Sequence, residues 1–151
     1  MSALGRAHGL ALALPAALLA GAWGSQIFGH LYPCEMCHWQ RWPHYAALAI
    51  ALVAFAAKPI RPVLVALAAL AILTSGAIGV YHAGVEYHWW EGITTCSSTA
   101  ASGSLADIMK SPLIRCDTAQ WTLFGISLAG FNAILSISGG LAILAMLRRV
   151  R

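Results

Sequence analysis

The sequence predicts an all-α membrane protein: a four-transmembrane-helix bundle with two extracytoplasmic cysteine-bearing loops. Three observations predict it. First, 60% of the 151 residues are apolar and only 9% are charged, against about 45–50% and roughly 25% in a soluble domain. Second, four apolar stretches approach the ~20 residues that a membrane helix needs. Third, six of the nine Lys and Arg residues fall where four such stretches would bring them to one side. The composition excludes a disordered chain and a collagen. The net charge of +4 is nine Lys and Arg residues against five acids, and the scattered basic residues form no patch for a nucleic acid.

The first span is expected over 10–31. Arg6, the apolar run and Ala20-Gly21-Ala22 also resemble a signal peptide with its cleavage site. The run continues through Trp23, Ile27 and Phe28, longer than a typical signal core. The second span is expected over 42–57. Lys58-Pro59-Ile60-Arg61-Pro62 then breaks the pattern with charge and proline. The third is expected over 63–83 and the fourth over 121–147, within a single domain that covers 1–151. Barrel strands would alternate polar and apolar residues, and these stretches do not. Ser75, Gly79, Gly125 and Gly130 read as small residues for helix packing, and Asn132 as a hydrogen bond between helices.

Arg6, Lys58, Arg61, Arg148, Arg149 and Arg151 fall on one side of such a bundle, six of the nine basic residues. All five acids fall on the other. The positive-inside rule then places both termini in the cytoplasm and the loops 32–41 and 84–120 outside. In a bacterium this is a multi-pass protein of the inner membrane with its loops in the periplasm. Trp39, Trp42, Trp89, Trp90 and Trp121 all fall at the expected outer interface, where indoles concentrate.

The four cysteines, Cys34, Cys37, Cys96 and Cys116, lie in those outer loops, the side where disulfides persist. Two structural disulfides are one reading. Cys34-Glu35-Met36-Cys37 argues for another, because so small a ring constrains the unfolded chain little, and C-x-x-C spacing more often marks a redox pair. A helix starting at these residues would favour a thiolate through its dipole. Arg41 lies one helical turn after Cys37. It is expected either to partner a thiolate or a ligand carbonyl, or to snorkel to phosphate as an anchor. Glu35 is expected to raise the pKa of a neighbouring thiol. Between Cys96 and Cys116, a small-residue loop precedes Leu105, Ile108, Met109 and Leu113, spaced for a short amphipathic helix.

Cys34-Glu35-Met36-Cys37-His38 also matches the c-type haem attachment motif. A membrane-anchored haem electron-transfer protein is therefore an alternative. The first outer loop is short for wrapping a haem, and this reading gives Cys96 and Cys116 no role.

Several segments, in order, resemble the disulfide bond formation protein B (DsbB) family of bacterial thiol–quinone oxidoreductases. Tyr32-Pro33-Cys34-Glu35-Met36-Cys37-His38-Trp39-Gln40-Arg41 is similar to the family's P-C-x-x-C-x-x-[EQ]-R segment. Gly79-Val80-Tyr81-His82-Ala83-Gly84-Val85-Glu86 is similar to its end of span three, and Trp121-Thr122-Leu123-Phe124-Gly125 to its start of span four. Cys96 and Cys116 resemble its second-loop pair. The C-x-x-C precedes the loop cysteines, which separates the chain from the vitamin K epoxide reductase family, where it follows them. The loop between Cys96 and Cys116 is shorter than in the best-known pattern.

The resemblance implies the activity, a protein-dithiol:quinone oxidoreductase. A periplasmic dithiol protein of the DsbA type would attack the Cys96–Cys116 disulfide at Cys96. Cys116 would exchange with Cys34, and Cys37 would face a membrane quinone, ubiquinone or menaquinone, without a metal. Arg41 and Cys37 would hold the quinone, with His82 as a further candidate for quinone contact or proton delivery. His38, His44 and His88 receive no role.

Overall fold

The computed structural model describes residues 2–93 and 115–149. Cys96 and the amphipathic stretch expected over 105–113 lie outside the described residues. The body is four long helices: α1 (Ala3–Ile27), α2 (Glu35–Ala56), α3 (Arg61–Glu86) and α4 (Leu128–Arg148). Each packs against the next, and α4 closes on α1. Short connections join α1 to α2 and α2 to α3, the second through a 3-10 turn at Lys58–Ile60. Such links make neighbouring helices antiparallel.

Among the described residues, three stretches are long and apolar enough to cross a membrane: Ala3–Ile27, Lys58–Glu86 and Leu128–Arg148. The fourth helix, α2, has a comparable 22 residues, but its first half carries Glu35, His38, Gln40, Arg41 and His44. Gln40, Arg41 and His44 are buried inside the bundle. One end of the interior is built largely from alanine, with Ala7, Ala11, Ala47, Ala51, Ala54, Ala68 and Ala69 around Ile72 and Ile143. Larger apolar side chains such as Leu52, Phe55, Val63 and Leu67 point outward. Small residues inside and large ones outside let helices approach closely where lipid surrounds them.

Caps fix where the helices begin. The Ser2 hydroxyl accepts the Gly5 amide and starts α1, seven residues before the apolar stretch that predicted this span. Arg6 was expected to precede this span, in a flanking segment. His8 is fully buried, its Nε2 donating to the Ala51 carbonyl at 2.7 Å. Arg61 donates to His8 Nδ1 through Nε at 3.0 Å and through its terminal nitrogen at 2.7 Å. This pair ties the start of α1 to the end of α2 and the start of α3.

The fourth helix corrects the sequence expectation. Residues 121–127, expected to open the fourth span, form no helix. Strands β1 (Thr122–Leu123) and β2 (Ile126–Ser127) pair antiparallel, Thr122 opposite Ser127. Phe124 and Gly125 turn the chain with φ of 51° and 78°, both in the left-handed region that a tight hairpin requires. Gly125 is thus a turn glycine with open space around it, not a helix-packing one. Tyr87 clamps the hairpin, its hydroxyl donating to the Gly125 carbonyl and accepting the Ser127 amide, both at 2.9 Å. Ser127 then caps α4 through the Gly130 amide.

Candidate redox site

The first cysteine of the C-x-x-C pair is itself the N-cap of α2. Cys34 holds an extended backbone, and its sulfur accepts the Cys37 amide at 3.2 Å. The helix begins at Glu35, so Cys37 occupies the first turn, ahead of the apolar part of α2. Both are free thiols, with sulfurs 2.8 Å apart. Cys34 is buried among Met36, Val85 and Cys116, while Cys37 is half-buried.

The pair is electrostatically asymmetric. Cys37 is held below the ordinary thiol value, first by the hydrogen bond from the Cys34 thiol, with the Cys34 backbone and Arg41 adding to it against the effect of burial. Cys34 is pushed up, first by that same shared hydrogen bond and then by burial. The proton therefore resides on Cys34 and the thiolate character on Cys37. Glu35 was expected to raise a thiol, but it is exposed. The acid that raises both thiols is Glu86, across the site on α3.

His82 on α3 meets Cys34. Gln40 Nε2 donates to His82 Nδ1 at 2.7 Å, so the ring proton sits on Nε2. That nitrogen lies 3.6 Å from Cys34 Sγ and 3.7 Å from Glu86 Oε1. The backbone of Cys116 hydrogen-bonds the same ring. Cys116 is disulfide-bonded and buried. Its sulfur, Cys34 Sγ and a ring nitrogen of His82 all lie within 4.8 Å of one another. Three such donors could in principle hold a cation, but a disulfide sulfur is not a thiolate ligand. What the grouping does offer is a thiol beside a disulfide, the starting geometry of exchange. Gln120 fastens the second loop here by donating to the Tyr32 carbonyl at 2.7 Å.

Arg41 is buried, 8% exposed, which removes the expectation of a phosphate anchor. Its two terminal nitrogens donate to Gln26 Oε1 at 2.9 Å and to the Ala22 carbonyl at 3.1 Å, both on α1. The guanidinium lies 5.4 Å from the centre of a Trp23 ring. Cys37, Arg41, His82 and Glu86 line one cavity of about 240 Å³, whose remaining wall includes Ala17, Leu18, Gly21 and Phe131. His44 and Asn132 lie deeper in the same wall. The structure thus gathers Cys34, Cys37, Arg41, His82 and Cys116 at one end of the bundle.

Sequence reasoning missed Gln40, His44 and Glu86 as members of this site, and saw Asn132 only as a bridge between helices. Asn132 does bridge α4 to α2 and α3, donating to Gln40 Oε1 at 2.8 Å and to Ser75. A polar residue repeated along one face of α2, at Cys37, Gln40, Arg41 and His44, was the available signal.

Comparison with known families matches residues 5–147 to the one described as Disulfide bond formation protein DsbB. No curated protein and no solved structure matches the chain. The match spans all four helices and every cysteine, and with a C-x-x-C pair placed against a disulfide in a membrane-helix bundle it settles the family: the chain belongs to the DsbB family of membrane proteins of disulfide bond formation.

Proposed function

We propose that this protein reoxidises a periplasmic dithiol protein of the DsbA type and delivers the two electrons to a membrane quinone. All four helices span the bacterial inner membrane in this reading, with both termini cytoplasmic and the cysteines periplasmic. The observation that carries it is the position of Cys34. Its sulfur lies within 4.8 Å of the disulfide sulfur of Cys116, while its partner Cys37 lines a largely apolar cavity with Arg41.

The relay balances at each step. The partner's thiolate attacks Cys96 of a Cys96–Cys116 disulfide, and Cys116 leaves as a thiolate. The partner's second thiol resolves that mixed disulfide, so the partner leaves oxidised and Cys96 and Cys116 are both reduced. Cys116 then attacks Cys34 of the oxidised Cys34–Cys37 pair, and Cys37 leaves as the thiolate. Cys96 attacks Cys116, restoring the loop disulfide and leaving Cys34 as a thiol. Two electrons now reside on Cys34 and Cys37, beside an intact disulfide at Cys116. This is the redox arrangement of the structure, with two free thiols and Cys116 bonded. Both sulfurs of the pair belong to residues that line the cavity, and Cys37 is the one of lowered pKa.

The cavity suits a quinone: apolar walls with a few convergent polar groups are the usual form of such sites. A bound quinone supplies the acceptor for two electrons and two protons. Arg41 is held in place by Gln26 and Ala22, and it stabilises negative charge at Cys37 or at a ligand oxygen. His82 Nε2–H faces Cys34 and Glu86, placed to donate a hydrogen bond to a thiolate that forms at Cys34 during exchange. The c-type haem alternative asks His38 to serve as a ligand beside both sulfurs, yet His38 is exposed and Cys34 is buried against His82.

The test is anaerobic. Purified protein is mixed with a reduced DsbA-type partner and a short-chain quinone, and quinone absorbance is followed. The expected result is loss of oxidised quinone in step with loss of partner thiols, abolished by Cys37→Ser. Turnover that survives Cys37→Ser, or a haem band with no turnover, overturns the proposal.

A further inference from the structure

Among the described residues, two buried polar atoms of cavity-lining residues have no hydrogen-bond partner, Glu86 Oε2 and His44 Nδ1. His44 is 3% exposed and lines the cavity. Its Nε2 lies 2.9 Å from Asn132 Oδ1 and 2.9 Å from Ser75 Oγ. Both act as acceptors there. Asn132 directs its amide nitrogen to Gln40 and Ser75, and its Oδ1 takes the Ser136 hydroxyl at 3.0 Å. Ser75 donates its own proton to the Gln40 carbonyl at 2.7 Å. Nε2 must therefore carry the ring proton, and in the neutral ring Nδ1 is a bare acceptor. That Nδ1 is buried and has no hydrogen-bond partner among the described residues. A buried acceptor without a donor is costly and uncommon.

The missing partner must bring a proton. Arg41, one turn earlier on α2, brings only donors, and its two terminal nitrogens are engaged by α1. A quinone carbonyl offers lone pairs and suits Arg41 but not Nδ1. A hydroquinone hydroxyl suits Nδ1. We propose that His44, through Nδ1, accepts the hydroxyl of the hydroquinone and makes this cavity more complementary to the reduced ring than to the oxidised one. The proposal rests on the assignment of the cavity to a quinone. It gives His44 a binding role that favours formation of the reduced product in the site.

The test separates binding from turnover. Full-length protein carrying Cys37→Ser, which passes no electrons, is titrated anaerobically with a short-chain hydroquinone, the matching quinone and the hydroquinone dimethyl ether. The hydroquinone is expected to bind about tenfold more tightly than its dimethyl ether, the scale of one buried hydrogen bond. His44→Leu removes this preference, bringing the hydroquinone and its dimethyl ether to within about twofold of each other. His44→Gln, which keeps one donor and one acceptor, retains it. An unchanged preference in His44→Leu, or an equal loss for all three ligands, overturns the role of His44 and leaves the quinone assignment standing. Failure of the parent protein to bind any of the three overturns both. Should His44→Leu fail to insert, His44→Gln and the parent decide, because absence of a preference in the parent overturns the proposal by itself.

Discussion

At the scale of the residue, the two sulfurs of the C-x-x-C pair are unequal because one is a cap and the other lies inside the first turn. Cys34 accepts the Cys37 amide and shares its proton with the Cys37 sulfur. A depressed pKa leaves Cys37 as thiolate to lower pH than a free thiol, whose ordinary value is about 8.5. Its alkylation should therefore persist as pH falls, declining only through the lowered value, while Cys34 stays nearly inert. Peptide mapping after brief iodoacetamide treatment at several pH values checks this. Equal labelling of the two cysteines sinks the asymmetry. Arg41 makes a second residue-scale prediction. Arg41→Lys keeps the charge but loses the fork that reaches Gln26 and Ala22 together. Quinone reduction should fall roughly tenfold or more, with the partner still oxidised stoichiometrically by the loop disulfide. Unchanged quinone turnover in that variant removes Arg41 from the site.

At the scale of the element, α3 and α4 meet closely because Gly79 has no side chain. A Cβ there would lie 3.0 Å from the Ala129 carbonyl, 3.0 Å from Asn132 Nδ2 and 3.1 Å from the Ala133 amide nitrogen. Two of these are backbone and cannot swing away. Gly79→Ala should destabilise the bundle by about 1–3 kcal/mol, and Gly79→Leu by more, read as a lower unfolding midpoint in detergent. A midpoint unchanged by Gly79→Leu would mean that the helices separate freely. The packing role of Gly79 was legible from small-residue spacing, whereas the similar reading of Gly125 was not sound. Spacing alone could not say that residues 121–127 form a hairpin, since a short apolar run suits a strand as well as a helix. The readable cue was Ser127, a good N-cap directly before the last apolar run. For α1 the cue was Ser2, masked by Arg6; the burial of the nearby His8 goes with its contact to Arg61 far along the chain.

At the scale of the whole molecule, the site is an assembly of distant segments, which is why only part of it was legible. The motif around Cys34, Cys37 and Arg41 is local and could be read directly. Glu86, Gln40 and His44 enter through which faces of α2 and α3 turn toward one another, and no local motif states that. Cys116 is the most distant contributor. The loop that holds it is fastened to the first loop by Gln120 and Tyr32, and the clamp of Tyr87 on the hairpin fixes where that loop leads into α4. If this convergence is the working geometry, Cys34 and Cys116 should bond to each other once their own partners are removed. A protein carrying Cys37→Ser and Cys96→Ser has only those two thiols. Their sulfurs start within 4.8 Å, and closing to the ~2.05 Å of a disulfide needs only local side-chain movement. Mild oxidation in the membrane should yield an intramolecular Cys34–Cys116 disulfide, detected as a linked peptide by mass spectrometry. Gln120→Ala should lower that yield by loosening the loop. Free thiols after oxidation, or only intermolecular dimers, would show that the two loops do not meet in the membrane, and exchange between them would then require a movement of the second loop before each turnover.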